Sequence, residues 1–205
     1  MVADKLLDSF YLIVDRASWL PRLLPQGVKL VQLRAKDMDE ATLRREIREA
    51  RELCARYGAQ LIVNDYWKLA IELGCDYVHL GQEDLSEADV PAIRSAGVKL
   101  GLSTHDEAEL EIALRAKPDY VALGPIYPTI LKAMKWAPQG LSRIRAWKER
   151  IGDVPLVAIG GLTIERAAGC FEAGADSVAV VTDVLLNADP EGRAREWVLA
   201  TRETA

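Results

Sequence analysis

The sequence predicts an α/β chain folded as a (β/α)8 TIM barrel with a short first βα unit, on three observations. Eight short apolar runs recur along the 205 residues without the strict alternation of a half-exposed strand, as expected of strands buried on both faces of a parallel sheet. Helix-period stretches lie between most of them. The residues just after each apolar run are unusually polar, and in a barrel of this class the functional atoms sit at the C-terminal ends of the strands. A doubly wound open sheet is the alternative, but it usually has about five or six strands. With 50% hydrophobic residues and no linker or low-complexity segment, one domain spanning residues 1–205 is expected.

Taken in order, the first strand is FYLIV at residues 10–14. Pro21 and Pro25 interrupt the connection over residues 16–27, so any helix there is one or two turns. VKLVQL at 28–33 is the second strand, followed by the clearest helix, 39–57, with Leu43, Ile47, Ala50 and Leu53 on one stripe. QLIV at 60–63 and YVHL at 77–80 are strands three and four; a helix is expected over 86–95. VKLGL at 98–102 precedes a helix at 105–116, and YVAL at 120–123 precedes one at 141–150. PLVAI at 155–159 leads to a helix at 164–173. SVAVV at 177–181 is the eighth strand, and the last helix, 190–202, has Asp189 as N-cap and Pro190 at its first position.

Charge narrows the function classes. Lys and Arg number 26 against 31 Asp and Glu, a net −5, which argues against nucleic acid as a partner while leaving room for a local basic pocket. No apolar stretch approaches the roughly 18–20 residues of a membrane span. The N-terminus, MVADKLLD, carries acids where a signal peptide needs a basic start, so a cytoplasmic protein is expected. Cys54, Cys75 and Cys170 are scattered, and two histidines complete no zinc spacing.

Chemistry is expected at the strand ends. Gln32, Arg34 and Lys36 alternate with Leu33 and Ala35, so they share one face of an extended segment, and a phosphate or pyrophosphate would suit that row. A solvated strand end is the bland alternative. Asp65 and Asp84 follow strands three and four, where paired carboxylates near basic residues suit a Mg²⁺ shared with a phosphorylated substrate; helix capping is the bland alternative. Gly160-Gly161 after strand seven, with Thr163 opening a helix and Val181-Thr182 after strand eight, has the make-up of a phosphate cradle. His79 reads as a packed core histidine rather than an acid or base, and His105 as a helix cap. Trp136, in a Pro-flanked loop, is the tryptophan placed to cover a ligand. With no evident nucleophile, the pattern fits departure of pyrophosphate and capture of the resulting cation by a second, phosphorylated substrate.

The motifs Gln32-Leu-Arg34-Ala-Lys36, Val63-Asn64-Asp65, His79-Leu-Gly81-Gln82-Glu83-Asp84, Leu102-Ser103-Thr104-His105, Gly124-Pro-Ile-Tyr-Pro-Thr129, Ala158-Ile-Gly160-Gly161 and Val180-Val181-Thr182 together resemble, in their order, the thiamine phosphate synthase family. The resemblance runs from about residue 11 to residue 190. It implies a Mg²⁺-dependent transferase that joins hydroxymethylpyrimidine pyrophosphate to a thiazole phosphate through a pyrimidine methyl cation. It places Mg²⁺ on Asp65 and Asp84 and the leaving group on Arg34, Lys36, Ser103 and Lys132. Gln32 and Asn64 would meet the pyrimidine; Thr129, Gly161, Val181 and Thr182 would border the thiazole phosphate. The implied partners are these small molecules, and a homo-oligomer is compatible with the sequence.

Two departures stand out. The family usually reads Pro-Thr-x-Thr-Lys after strand six, whereas this chain has Pro128-Thr129-Ile130-Leu131-Lys132, and a donor lost to a charged group costs about 1.5–3 kcal/mol unless replaced. The first βα unit is short and Pro-rich. Two other readings therefore stand beside the synthase. One is a thiazole tautomerase, which needs a proton shuttle and no Mg²⁺ pair. The other is a non-catalytic paralogue that binds thiamine precursors or a partner protein.

Overall fold

The structure, a computed structural model, describes residues 7–129 and 136–202. Strands β1 (Phe10–Val14), β2 (Leu30–Leu33), β3 (Gln60–Asn64), β4 (Tyr77–Leu80), β5 (Lys99–Thr104), β6 (Tyr120–Leu123), β7 (Leu156–Ile159) and β8 (Ser177–Val180) form a closed parallel barrel in sequence order. Closure pairs the first strand with the last: Phe10, Tyr11 and Leu12 lie opposite Val178, Ala179 and Val180. The seam is reinforced just below, where the Ser177 hydroxyl donates to the Asp8 carbonyl (2.7 Å) and the Val178 amide to the Ser9 carbonyl (2.9 Å).

Alternation along each strand divides the molecule into two apolar layers. Tyr11, Ile13, Leu30, Ile62, Tyr77, Tyr120, Ala122, Val157 and Ala179 point inward and fill the barrel. Phe10, Leu12, Val31, Leu33, Val63, Val78 and their equivalents point outward, beneath the helices. The Phe10 ring stacks on Trp197 of the last helix at 5.5 Å, which holds that helix against β1. Continuing the inward alternation toward the C-terminal ends brings Gln32, Asn64 and His79 to the inside of the mouth, all buried.

The helices are α1 (Leu20–Leu23), α2 (Glu40–Tyr57), α3 (Trp67–Glu72), α4 (Gln82–Glu87), α5 (Val90–Ser95), α6 (Glu107–Arg115), α7 (Gly140–Ile151), α8 (Ile164–Glu172), α9 (Thr182–Leu185) and α10 (Pro190–Arg202). The short first crossover is α1 between two single 3₁₀ turns, as its prolines require. Four features differ from the sequence reading. α3 and α9 are additional. The stretch 86–95 is two helices, because Ala88 is extended and Asp89 starts α5 by accepting the Ala92 amide at 2.9 Å. β5 runs on to Thr104, which brings Ser103 into the barrel wall. α6 is capped by Asp106, which accepts the Glu109 amide, and not by His105.

One glycine makes the interior possible. A Cβ at Gly101 on β5 would fall inside the ring of Tyr120 on the neighbouring strand, so the phenol lies across the barrel only because position 101 is bare.

Candidate active site

The acidic pair is assembled by the ends of β3 and β4. Asp65 takes a left-handed backbone conformation (φ 65°), fixed by its amide donating to the His79 carbonyl and by its own carbonyl accepting from Trp67. That turn brings its carboxylate into the neighbourhood of Asp84, in the first turn of α4, close enough for the two charges to act on one another. Burial raises the pKa of Asp84, and the neighbouring Asp65 charge raises it further; Lys36 opposes both. Lys36 Nζ lies 2.6 Å from Asp65 Oδ2. Neither carboxylate is a cap: α3 begins after Tyr66 and α4 after Gly81, without side-chain capping bonds. The capping alternative therefore fails.

The pair fits a divalent cation of the Mg²⁺ type. Two hard oxygen ligands that repel one another gain from an intervening cation. Among the described residues no cluster of three or more His, Cys, Asp or Glu side chains could hold a metal, so a cation on this pair would need water and substrate oxygens for the rest of its ligands.

The Gln32-Arg34-Lys36 row divides in two. Arg34 and Lys36 are exposed at the mouth, whereas Gln32 is 4% exposed and donates from Nε2 to the Tyr11 hydroxyl at 2.8 Å. Gln32 is thus satisfied by a neutral partner and does not extend the cationic row. Asn64 is buried beside it at the end of β3. Ser103 sits across the mouth, partly exposed, its hydroxyl 2.7 Å from His79 Nε2 and its carbonyl accepting from Gln82 at 2.7 Å. Burial drives the His79 pKa down from 6.5 to about 4; Asp65 opposes this and Arg34 adds to it, so the ring is neutral at physiological pH. Its stacking on Tyr120 (5.5 Å between ring centres) agrees with a packed core histidine.

On the opposite side of the mouth, the segment after β6 lies along β7: the Ile126 amide donates to Ile159 and the Tyr127 amide to Gly160. Gly161 (φ 63°) is pressed so closely to the Pro128 carbonyl that a Cβ would collide with it. Val181 packs against the inner layer and Thr182 opens α9. Thr129, Gly161, Val181 and Thr182 are each partly exposed, as a ligand-facing rim requires. Asp183, by contrast, is used internally, bonded to Arg193 (2.9 Å) and to the Trp197 indole (2.7 Å). Trp136 stacks face to face on His105 at 4.0 Å, and His105 in turn bonds Glu109 at 2.7 Å. Lys132 and Leu131 lie outside the described residues.

The residues that sequence reasoning passed over are Tyr11 and Tyr120. Both sit at inward positions of apolar strands, and the only hint was a large polar-tipped ring opposite a glycine, Gly101, in a run otherwise read as core.

Comparison with known proteins places the chain in a family. A family model described as thiamine monophosphate synthase matches residues 10–184. A thiamine-phosphate synthase of Rhizobium etli is 65% identical over 95% of this chain and 96% of its own length. One from Cronobacter sakazakii is 48% identical over 89% of this chain and 87% of that relative. Among solved structures, a thiamine phosphate pyrophosphorylase from Pyrococcus furiosus superposes with a TM-score of 0.86 over 98% of both chains at 24% identity, a likeness of fold. A 3-hexulose-6-phosphate synthase from Salmonella typhimurium shares the fold at a TM-score of 0.73 and 14% identity, covering 96% of this chain and all of that one.

Proposed function

Since the chain belongs to the thiamine monophosphate synthase family and is a transferase, we propose that it joins hydroxymethylpyrimidine pyrophosphate to a thiazole phosphate, releasing pyrophosphate and forming thiamine phosphate. The observation that carries this reading is the gathering of Asp65 and Asp84 at adjacent strand ends, with Lys36 Nζ 2.6 Å from Asp65 and the exposed Arg34 at the same barrel mouth. A bound Mg²⁺ on that pair supplies charge neutralisation to the departing pyrophosphate.

The protein groups then have divided tasks. Arg34 offers a two-pronged donor to phosphate oxygens, Lys36 a point charge and Ser103 a hydroxyl. Lys132 joins them on the strength of its motif alone. Gln32 and Asn64 face the pyrimidine. Thr129, Thr182 and the backbones of Gly161 and Val181 border the thiazole phosphate, which lies opposite the metal pair. The pyrimidine C–O bond breaks first, its electron pair leaving with pyrophosphate; the thiazole nitrogen then captures the methyl cation. Fixed donors around a departing anion supply such catalysis without a general base.

The test is a coupling assay with both substrates and Mg²⁺, detecting thiamine phosphate directly, with a chelator control. Mg²⁺-dependent product supports the reading. Folded protein that binds the pyrimidine pyrophosphate without turnover would replace it with a binding paralogue, and Leu131 would be the first residue to examine.

A further inference from the structure

A chain of hydrogen bonds crosses the inside of the barrel. Gln32 Nε2 donates to the Tyr11 hydroxyl at 2.8 Å, and the Tyr11 and Tyr120 hydroxyls meet at 3.0 Å. Tyr120 meets His79 Nδ1 at 2.7 Å, and His79 Nε2 meets Ser103 Oγ at 2.7 Å. Five residues from five strands are joined, and all but Ser103 are buried.

The direction of the chain follows from counting protons. Each phenol has one proton, and a buried donor without an acceptor is costly. Tyr11 already receives the Gln32 amide, so its own proton goes to Tyr120. The Tyr120 proton goes to His79 Nδ1. An imidazole that accepts at Nδ1 carries its proton on Nε2 and donates it to Ser103. The reverse order would aim two donors at Tyr11 and strand the Tyr11 proton in the apolar interior.

We infer that this one-way chain turns the Ser103 hydroxyl proton out of the barrel wall and toward the anion at the mouth, making Tyr11, Tyr120 and His79 positioning residues for Ser103. The inference rests on the proposed pyrophosphate role of Ser103. It also explains why position 101 is glycine, since without the bare backbone Tyr120 does not reach between Tyr11 and His79.

The experiment combines ¹⁵N-histidine NMR of the full-length chain with steady-state kinetics. The protein has two histidines, so His105→Gln assigns the signals. In the wild type, His79 is expected as one tautomer protonated on Nε2. Tyr120→Phe should lose that single tautomer and lower kcat about tenfold, with KM for the pyrimidine pyrophosphate held within about twofold. In a Ser103→Ala background the same substitution should produce no further fall in kcat. Tyr11→Phe should act in the same direction and serves if Tyr120→Phe does not fold. An Nδ1-protonated His79 in the wild type overturns the inference, as does an equal kcat loss with Ser103 already removed. Failure of the wild type to form product would remove the proposed function, while the tautomer would still decide the direction of the chain.

Discussion

His79 couples the barrel interior to acidity. Sealed from water, its ring holds a proton only near pH 4, whereas in the unfolded chain it does so near 6.5. Between those values the unfolded state binds more protons, so stability rises with pH; the contribution is complete above pH 6.5 and drains away as pH falls toward 4. The full amount is up to about 3 kcal/mol, because each tenfold loss of proton affinity on folding is worth about 1.4 kcal/mol. Urea titrations should show this slope, and His79→Asn should flatten it; an unchanged slope would assign the acid sensitivity to other groups. Asp84 is the opposite case, a carboxyl lifted by burial and by the neighbouring Asp65 charge, a strain that the proposed cation would relieve. Asp84→Asn should cut turnover at least about a hundredfold while leaving the circular dichroism spectrum unchanged. Full turnover at limiting Mg²⁺ would end the metal assignment.

At the scale of elements, small residues decide where helices and strands can go. Asp89 separates α4 from α5 by capping the second helix, with Pro91 in its first turn. Asp89→Ala should lower unfolding stability by about 1 kcal/mol, with activity retained. Gly101→Ala forces a methyl against the Tyr120 ring and should destabilise by about 1–3 kcal/mol, measured as a lower urea midpoint. The strands were legible because two-sided burial writes continuous apolar runs such as FYLIV, and α2 because its stripe spans five turns. The α4–α5 break was not, since Leu85 and Ile93, eight residues apart, fall on one helical stripe across the interruption. Asp65 and Asp84 could be found from strand-end position alone. The Tyr11–Tyr120 contact could not, because it joins residues 109 positions apart and depends on barrel register.

For the whole molecule, the carboxylate pair and the basic row beside it should respond to ligand together. Mg²⁺ with inorganic pyrophosphate is expected to raise the melting temperature by more than the sum of each alone. At a hundredfold excess over Kd the gain is about 2.7 kcal/mol, or about 5–10 °C for a chain of this size. Strictly additive shifts would mean that the carboxylate pair and the Arg34–Lys36 side bind independently. The seam between β1 and β8 has a consequence for how the chain is made. During synthesis the free edge of β1 waits while all the other strands are produced, because its partner at residues 178–180 belongs to the last strand of the barrel. Until β8 is made, the apolar FYLIV strand has an unpaired edge, so the interval between the two strands is when an open sheet would be most prone to wrong pairing.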